Sequence, residues 1–212
     1  MSADFAIDAW LAEEGLVDAA GLAAARGVLV AAGLTNGKKA RMAVTKKERA
    51  REALWAGVAG WCGAAACEAV ARGTGRAVVR TTRERCAGCG GSNSLQAARL
   101  AAEACRAAGV REVLVLGGSP PARQEAARLM REAGGPRLQF VEGDVRVTEQ
   151  DARADKARAD VVLAWAGTPL PHKVSDLYRR REAGDPPFIT VPTTGVAALF
   201  AALAEHARNR RP

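Results

Sequence analysis

Aromatic side chains are scarce in this 212-residue chain, at 4% of all residues with a single tyrosine. A core must therefore be assembled from alanine, valine and leucine, and a hydrophobic content of 49% is enough for one. Long apolar runs are missing as well. The longest, such as Val28 to Leu34, is far too short to span a bilayer. No basic start followed by an apolar stretch marks the N-terminus, so the sequence predicts a soluble, cytoplasmic protein with no membrane partner. Catalytic signatures are equally thin. There is no Walker A loop and no G-x-G-x-x-G turn, and no His-x-Glu precedes a cysteine pair. Their absence argues against a P-loop nucleotidase, a standard dinucleotide enzyme and a zinc deaminase.

What the chain does have is cysteine in a telling order. Four of its five cysteines read Cys62-x4-Cys67-x18-Cys86-x2-Cys89. Two close pairs separated by a loop can meet around one tetrahedral zinc. Cys86-Ala87-Gly88-Cys89-Gly90-Gly91 is a good knuckle, because its glycines let backbone amides turn toward sulfur. Four thiolates leave no open coordination position, so such a zinc is structural. In a reducing compartment, thiols or metal are expected in place of disulfides. Cys62 and Cys67 set a condition. On an ideal helix five residues turn through about 500°, leaving the two side chains about 140° apart. They chelate together only if the chain leaves helix between them; otherwise they are small buried hydrophobes. Cys105 follows Leu95, Leu100 and Ala101 on a long amphipathic helix and reads as core.

The formal net charge is +8. It is concentrated between Lys38 and Arg51, where Lys38, Lys39, Arg41, Lys46, Lys47, Arg49 and Arg51 face Glu48 alone. Summed, the rest of the chain is close to neutral. A focused cationic segment suits phosphate backbones, and nucleic acid is the expected partner; a solvated helix start is the bland alternative. Thr45-Lys46-Lys47-Glu48 reads as a capping box opening a helix whose apolar face carries Leu54, Trp55, Val58 and Trp61. Before it, residues 4–33 read as two helices broken near Gly15.

From Val110 the pattern alternates strand and helix. Strands are expected at Glu112–Leu116, Leu138–Val141, Asp160–Trp165 and Phe188–Val191, with helices at Pro120–Glu132, Thr148–Ala157, Val174–Arg181 and Thr194–Asn209. Short apolar strands joined by helices predict a parallel, Rossmann-like α/β sheet of about four strands. The expected division is residues 1–91, a helical, zinc-ribbon-like basic module, and residues 92–212, the α/β domain.

Ligands of open parallel sheets sit beyond the carboxyl ends of the strands. Two loops qualify: Gly117-Gly118-Ser119 after the first strand, and Gly167 to Lys173, with Thr168, His172 and Lys173, after the third. In a 2-1-3-4 strand order they are neighbours. Ser119 heads a helix whose amides favour anions, and Lys173 adds charge, so a small anion or nucleotide is the expected ligand. No acidic residue in the expected place follows the second strand as a ribose clamp, which disfavours NAD. Val141-Glu142-Gly143 matches the glutamate turn of Toprim enzymes, yet the third strand ends Trp165-Ala166-Gly167 without their Asp-x-Asp.

Residues 111–207 resemble a bacterial Rossmann-like domain family of unknown function. The matching positions are Gly117-Gly118 at a strand end, Asp160-Val161-Val162, His172 in the following loop, and the strand and helix from Ile189. Two positions depart from that pattern: Pro171 stands where a serine is expected, and Glu142-Gly143-Asp144 replaces a histidine-rich turn. The resemblance implies a fold and a ligand-binding crevice, not a reaction.

The leading expectation is a nucleic-acid- and nucleotide-binding protein with structural zinc, forming a homo-oligomer and acting in defence or repair. The alternatives are an enzyme on a nucleotide or phosphoester, with His172 and Ser119 as its catalytic candidates, and a purely structural or scaffolding protein.

Overall fold

The computed structural model describes residues 4–141, 147–165, 172–180 and 182–210, without the side chains of 172–175. The chain divides into two compact units, Met1–Ser92 and Asn93–Pro212.

In the first unit, β1 (Asp4–Ala6) leads directly into α1 (Ile7–Glu13), followed by α2 (Ala19–Ala31). Asp18 caps α2 by accepting from the Gly21 amide at 2.7 Å. β2 (Arg41–Ala43) pairs antiparallel with β1. A 3-10 turn, Val44–Lys46, runs straight into α3 (Lys47–Gly57). The expected capping box is therefore not formed. Thr45 lies inside the turn, Lys46 occupies the cap position, and no side chain caps the helix.

The helical face expected at Leu54, Trp55, Val58 and Trp61 is also cut short. The helix ends at Gly57, and Val58–Trp61 is a strand, β3. Gly57 lies so close to Val28 that a Cβ there would fall 2.5 Å from Val28 Cγ1. After α4 (Ala65–Gly73) comes β4 (Ala77–Arg80), which runs parallel to β3 with Val58 opposite Ala77 and Trp61 opposite Arg80. Residues 58–80 thus form a small β-α-β unit, closed by a 3-10 turn at Arg83–Arg85. Ile7, Trp10, Leu11, Leu29, Leu54 and Val58 form the centre of this unit's core.

In the second unit, α5 (Asn93–Ala107) precedes β5 (Glu112–Gly117), α6 (Pro120–Glu132), β6 (Arg137–Val141), α7 (Glu149–Ala157), β7 (Val161–Trp165), α8 (His172–Arg179), β8 (Phe188–Val191) and α9 (Val196–Asn209). The sheet is parallel throughout, in the order β6-β5-β7-β8. This is the expected α/β architecture in its 2-1-3-4 form. Strand side chains alternate between faces. Val113, Val115, Val161 and Leu163 share a core with α5, α6 and α9; Leu114, Leu116 and Val162 share another with Ala152 of α7 and Tyr178 of α8. With few aromatics available, α5 contributes Ala98, Ala101, Ala102 and Cys105 to the first core, so Cys105 is core as expected.

Two polar ties hold the lower end of this sheet. Asp160 accepts from the amides of Arg111 at 2.7 Å and Glu112 at 2.9 Å, joining the start of β7 to the start of β5. Lys156, 4% exposed, donates to the Arg180 carbonyl at 3.0 Å and pairs with Asp185. Among the described residues, no helix is long and apolar enough to cross a membrane.

Candidate functional site

The β-α-β unit of residues 58–80 positions the cysteines. Cys62 is the first residue past β3, and the chain turns away at Gly63 with a φ of +99°. Cys67 lies in the first turn of α4, its amide donating to the Ala64 carbonyl at 2.9 Å. The condition set by the Cys62–Cys67 spacing is met, because strand, turn and helix separate the two in place of continuous helix. Cys86 and Cys89 follow the 3-10 turn beyond β4. Their loop is tied to β3 by the Ala87 amide donating to the Gly60 carbonyl at 2.8 Å, and the Gly90 amide closes it on the Cys86 carbonyl at 2.9 Å.

Two glycines make the approach possible. A Cβ at Gly60 would lie 2.4 Å from the Arg85 carbonyl oxygen, and one at Gly88 would lie 2.8 Å from the Cys67 Cα and 2.9 Å from its Sγ. The result is four sulfur atoms all within 4.8 Å of one another, with Cys62 Sγ and Cys89 Sγ 3.9 Å apart. Ligands about 2.3 Å from a tetrahedral zinc lie about 3.8 Å from each other, whereas a disulfide needs about 2.05 Å. None of the four is joined in a disulfide. Cys67, Cys86 and Cys89 are buried and Cys62 is half-buried. These four near-coincident cysteines can hold a metal ion.

The backbone already favours one thiolate. Burial acts to raise the Cys86 pKa, but amides of Cys89, Gly88 and Cys62 directed at its sulfur bring it down to about 7. Burial and the neighbouring sulfurs push Cys67 well above the ordinary thiol range, and Cys89 is raised for the same reasons. A cation among the four sulfurs would reverse that penalty.

A feature without a sequence signal adjoins this centre. Glu14, at the end of α1, is 4% exposed. It accepts from Trp10 Nε1 at 3.1 Å, Arg51 Nε at 2.8 Å, Trp55 Nε1 at 3.3 Å and Arg85 Nη2 at 3.3 Å. The Arg85 guanidinium also lies over the Trp55 ring, its Cζ 5.2 Å from the centroid. The residue preceding Cys86 and two residues of α3 therefore meet on one buried carboxylate.

The basic segment spreads over the turn before β2, β2 itself, the 3-10 turn and α3. Lys38, Lys39, Arg41, Lys46 and Arg49 are exposed, and Lys47 is half-buried above the Phe5 ring. Arg41 donates to the Asp4 carbonyl and Lys46 to the Leu34 carbonyl. Arg51 is committed elsewhere, to Glu14 and Glu48. A second basic run escapes a summed charge count: Arg72, Arg76, Arg80, Arg83 and Arg85 stand against Glu84 alone around β4. All five arginines are exposed.

In the α/β unit, β5 and β7 are neighbours and Gly117 sits opposite Trp165, so the chain leaves both strands at adjacent points. Gly117 and Gly118 have φ of +90° and +76°, and a Cβ on Gly118 would strike the Trp165 ring at 2.5 Å. Ser119 is exposed at the cap of α6, without a side-chain cap bond. The amide cradle expected there is depleted, because Pro120 and Pro121 fill the first two helical positions and carry no N–H. Thr168 lies outside the described residues, as does the turn at Glu142-Gly143-Asp144. His172 and Lys173 open α8, and their side chains are likewise outside the description.

No protein-family model matches the chain, and no curated protein matches it. A solved structure that it resembles is the N5,N10-methylenetetrahydrofolate dehydrogenase-cyclohydrolase (FolD) of Trypanosoma brucei, complexed with NADP cofactor and inhibitor. The similarity covers 54% of this chain and 48% of that one, at 20% identity and a TM-score of 0.27. The chain thus spans about half the length of that structure, and a likeness of this degree carries no argument about function.

Proposed function

We propose that the chain is a nucleic-acid-binding protein whose N-terminal unit is held by a structural zinc ion. The observation that carries the zinc is the convergence of four sulfurs within 4.8 Å at the ends of two parallel strands. An all-sulfur donor set is soft, which favours zinc over calcium or magnesium, and four thiolates leave no position for a reacting water. The metal supplies folding energy, and the scaffold it staples carries the exposed Lys38, Lys39, Arg41, Lys46 and Arg49. These cations attract phosphate oxygens by Coulomb forces and gain further from released counterions.

The test is fluorescence anisotropy with labelled oligonucleotides over a range of salt. Affinity is expected to fall steeply as salt rises. Replacing Lys38, Lys39 and Arg49 by glutamine is expected to flatten the slope by about 0.7 to 0.9 per lost phosphate contact. Absence of binding at low salt, or an unchanged slope in the variant, refutes the reading. Arg51 is spared because Glu14 needs it.

A second reading has support in the sheet topology. The strand order reverses between β5 and β7, with α6 on one face and α7 on the other, and such switch points accommodate small ligands. A nucleotide or other small anion there is the corresponding proposal, and thermal-shift screening of nucleotides checks it.

A further inference from the structure

Two tryptophans of the N-terminal unit are half-buried, and each has an arginine laid on its ring. Arg85 covers Trp55 at 5.2 Å and Arg80 covers Trp61 at 5.0 Å. Neither arginine is placed by chance of packing alone. Arg85 is anchored on Glu14, and the Arg80 guanidinium rests on Gly63, where a Cβ would lie 2.4 Å from Nη2. The two stacks also share a backbone. Gly60, the residue before Trp61, lies against the Arg85 carbonyl, and Trp61 faces Arg80 across the β3–β4 pair. Through Glu14, which binds Arg51 on one oxygen and Arg85 on the other, the second arginine run meets the basic segment of α3.

We infer that this surface is a track for single-stranded nucleic acid, on which unpaired bases stack against the Arg80–Trp61 and Arg85–Trp55 pairs while the flanking cations hold phosphates. The inference rests on the nucleic-acid reading above and names its partner class. A guanidinium plane supported from behind by an indole offers a flat, cationic face to a base, and bases present such a face only when they are out of a duplex. A duplex buries its base faces, so it would engage the lysines and arginines as charges but leave both stacks unused.

The experiment uses the zinc-loaded full chain and three labelled probes of one sequence: single-stranded DNA, single-stranded RNA and blunt DNA duplex. Anisotropy at a fixed salt concentration is compared for wild type, Arg80→Lys and Trp61→Phe. Arg80→Lys keeps the charge and loses the plane, so a purely electrostatic role would leave affinity unchanged and a purely structural one would weaken all three probes alike. The expected result is tighter binding of single strands than of duplex, with Arg80→Lys weakening single strands about tenfold and duplex hardly at all. Trp61→Phe retains an aromatic support and should recover most of the wild-type affinity. Equal affinity for single strand and duplex, or no effect of Arg80→Lys on single strands, overturns the inference and leaves nucleic-acid binding standing. Failure of all three probes overturns both.

Discussion

Replacing Glu14 by alanine removes one acceptor from four donors at once. Trp10 Nε1 is the donor left worst placed, since Trp10 is 2% exposed and its indole cannot turn to water. An orphaned buried donor costs about 1 to 3 kcal/mol. Arg51 and Arg85 keep side chains 35% and 45% exposed, so solvent takes over much of their charge. The sum is about 3 kcal/mol, at the lower end of what is lost when a fully buried ion pair is broken. For a unit of this size that is a fall in melting temperature of about 15 °C. Glu14→Gln keeps an acceptor and loses the charge, for about 1 to 2 kcal/mol. The carboxyl also carries a pH signature. Burial acts to raise its pKa, but hydrogen bonds from Arg51 and Trp55 and the charges of Arg51 and Arg85 hold it below its usual 4.5. Its stabilising contribution is therefore complete above about pH 4.5 and lost as pH falls through the lower folded value. Urea unfolding followed by tryptophan emission, repeated from pH 7 to pH 3, reads both effects. An alanine variant within about 0.5 kcal/mol of wild type, the range of ordinary surface substitutions, refutes this account of Glu14.

Other substitutions test the remaining structure. Gly88→Ala places a methyl group against Cys67 and is expected to lower metal affinity at least about tenfold, measured by competition with a chromogenic chelator. Asp160→Ala leaves the Arg111 and Glu112 amides without their acceptor and should destabilise the α/β unit by about 2 kcal/mol in denaturant unfolding. Cys105 is fully buried and its thiol is pushed up to about 12, chiefly by burial, so iodoacetamide should label it only after denaturation, as peptide mass analysis will show.

The α/β unit was legible because its strands are short apolar runs, bounded by turn residues and buried on both faces. Val113 to Leu116 and Val161 to Leu163 announce themselves without any knowledge of their partners. The N-terminal unit was harder because its pairings are non-local. Leu54, Trp55, Val58 and Trp61 fit a helical period, and only the partner strand at Ala77–Arg80 converts Val58–Trp61 to extended backbone. That same conversion lets Cys62 and Cys67 approach one another, so the condition set by their spacing and the failed helical face have one cause. Glu14 gave no local sign, since it follows Glu13 in what reads as a solvated helix end. Its burial depends on Arg51, Trp55 and Arg85, all distant in sequence. The arginine run at 72–85 was present in the sequence all along, but acidic residues elsewhere hid it in the total.

The central claim is that four cysteines close around one zinc on which the N-terminal unit depends. Elemental analysis of the full chain, alongside Cys89→Ser, measures this most directly, with circular dichroism recorded before and after chelation. About one zinc per chain is predicted, with its loss in Cys89→Ser and unfolding of the N-terminal unit once the metal is removed. A chain that is free of zinc and remains fully folded contradicts the account.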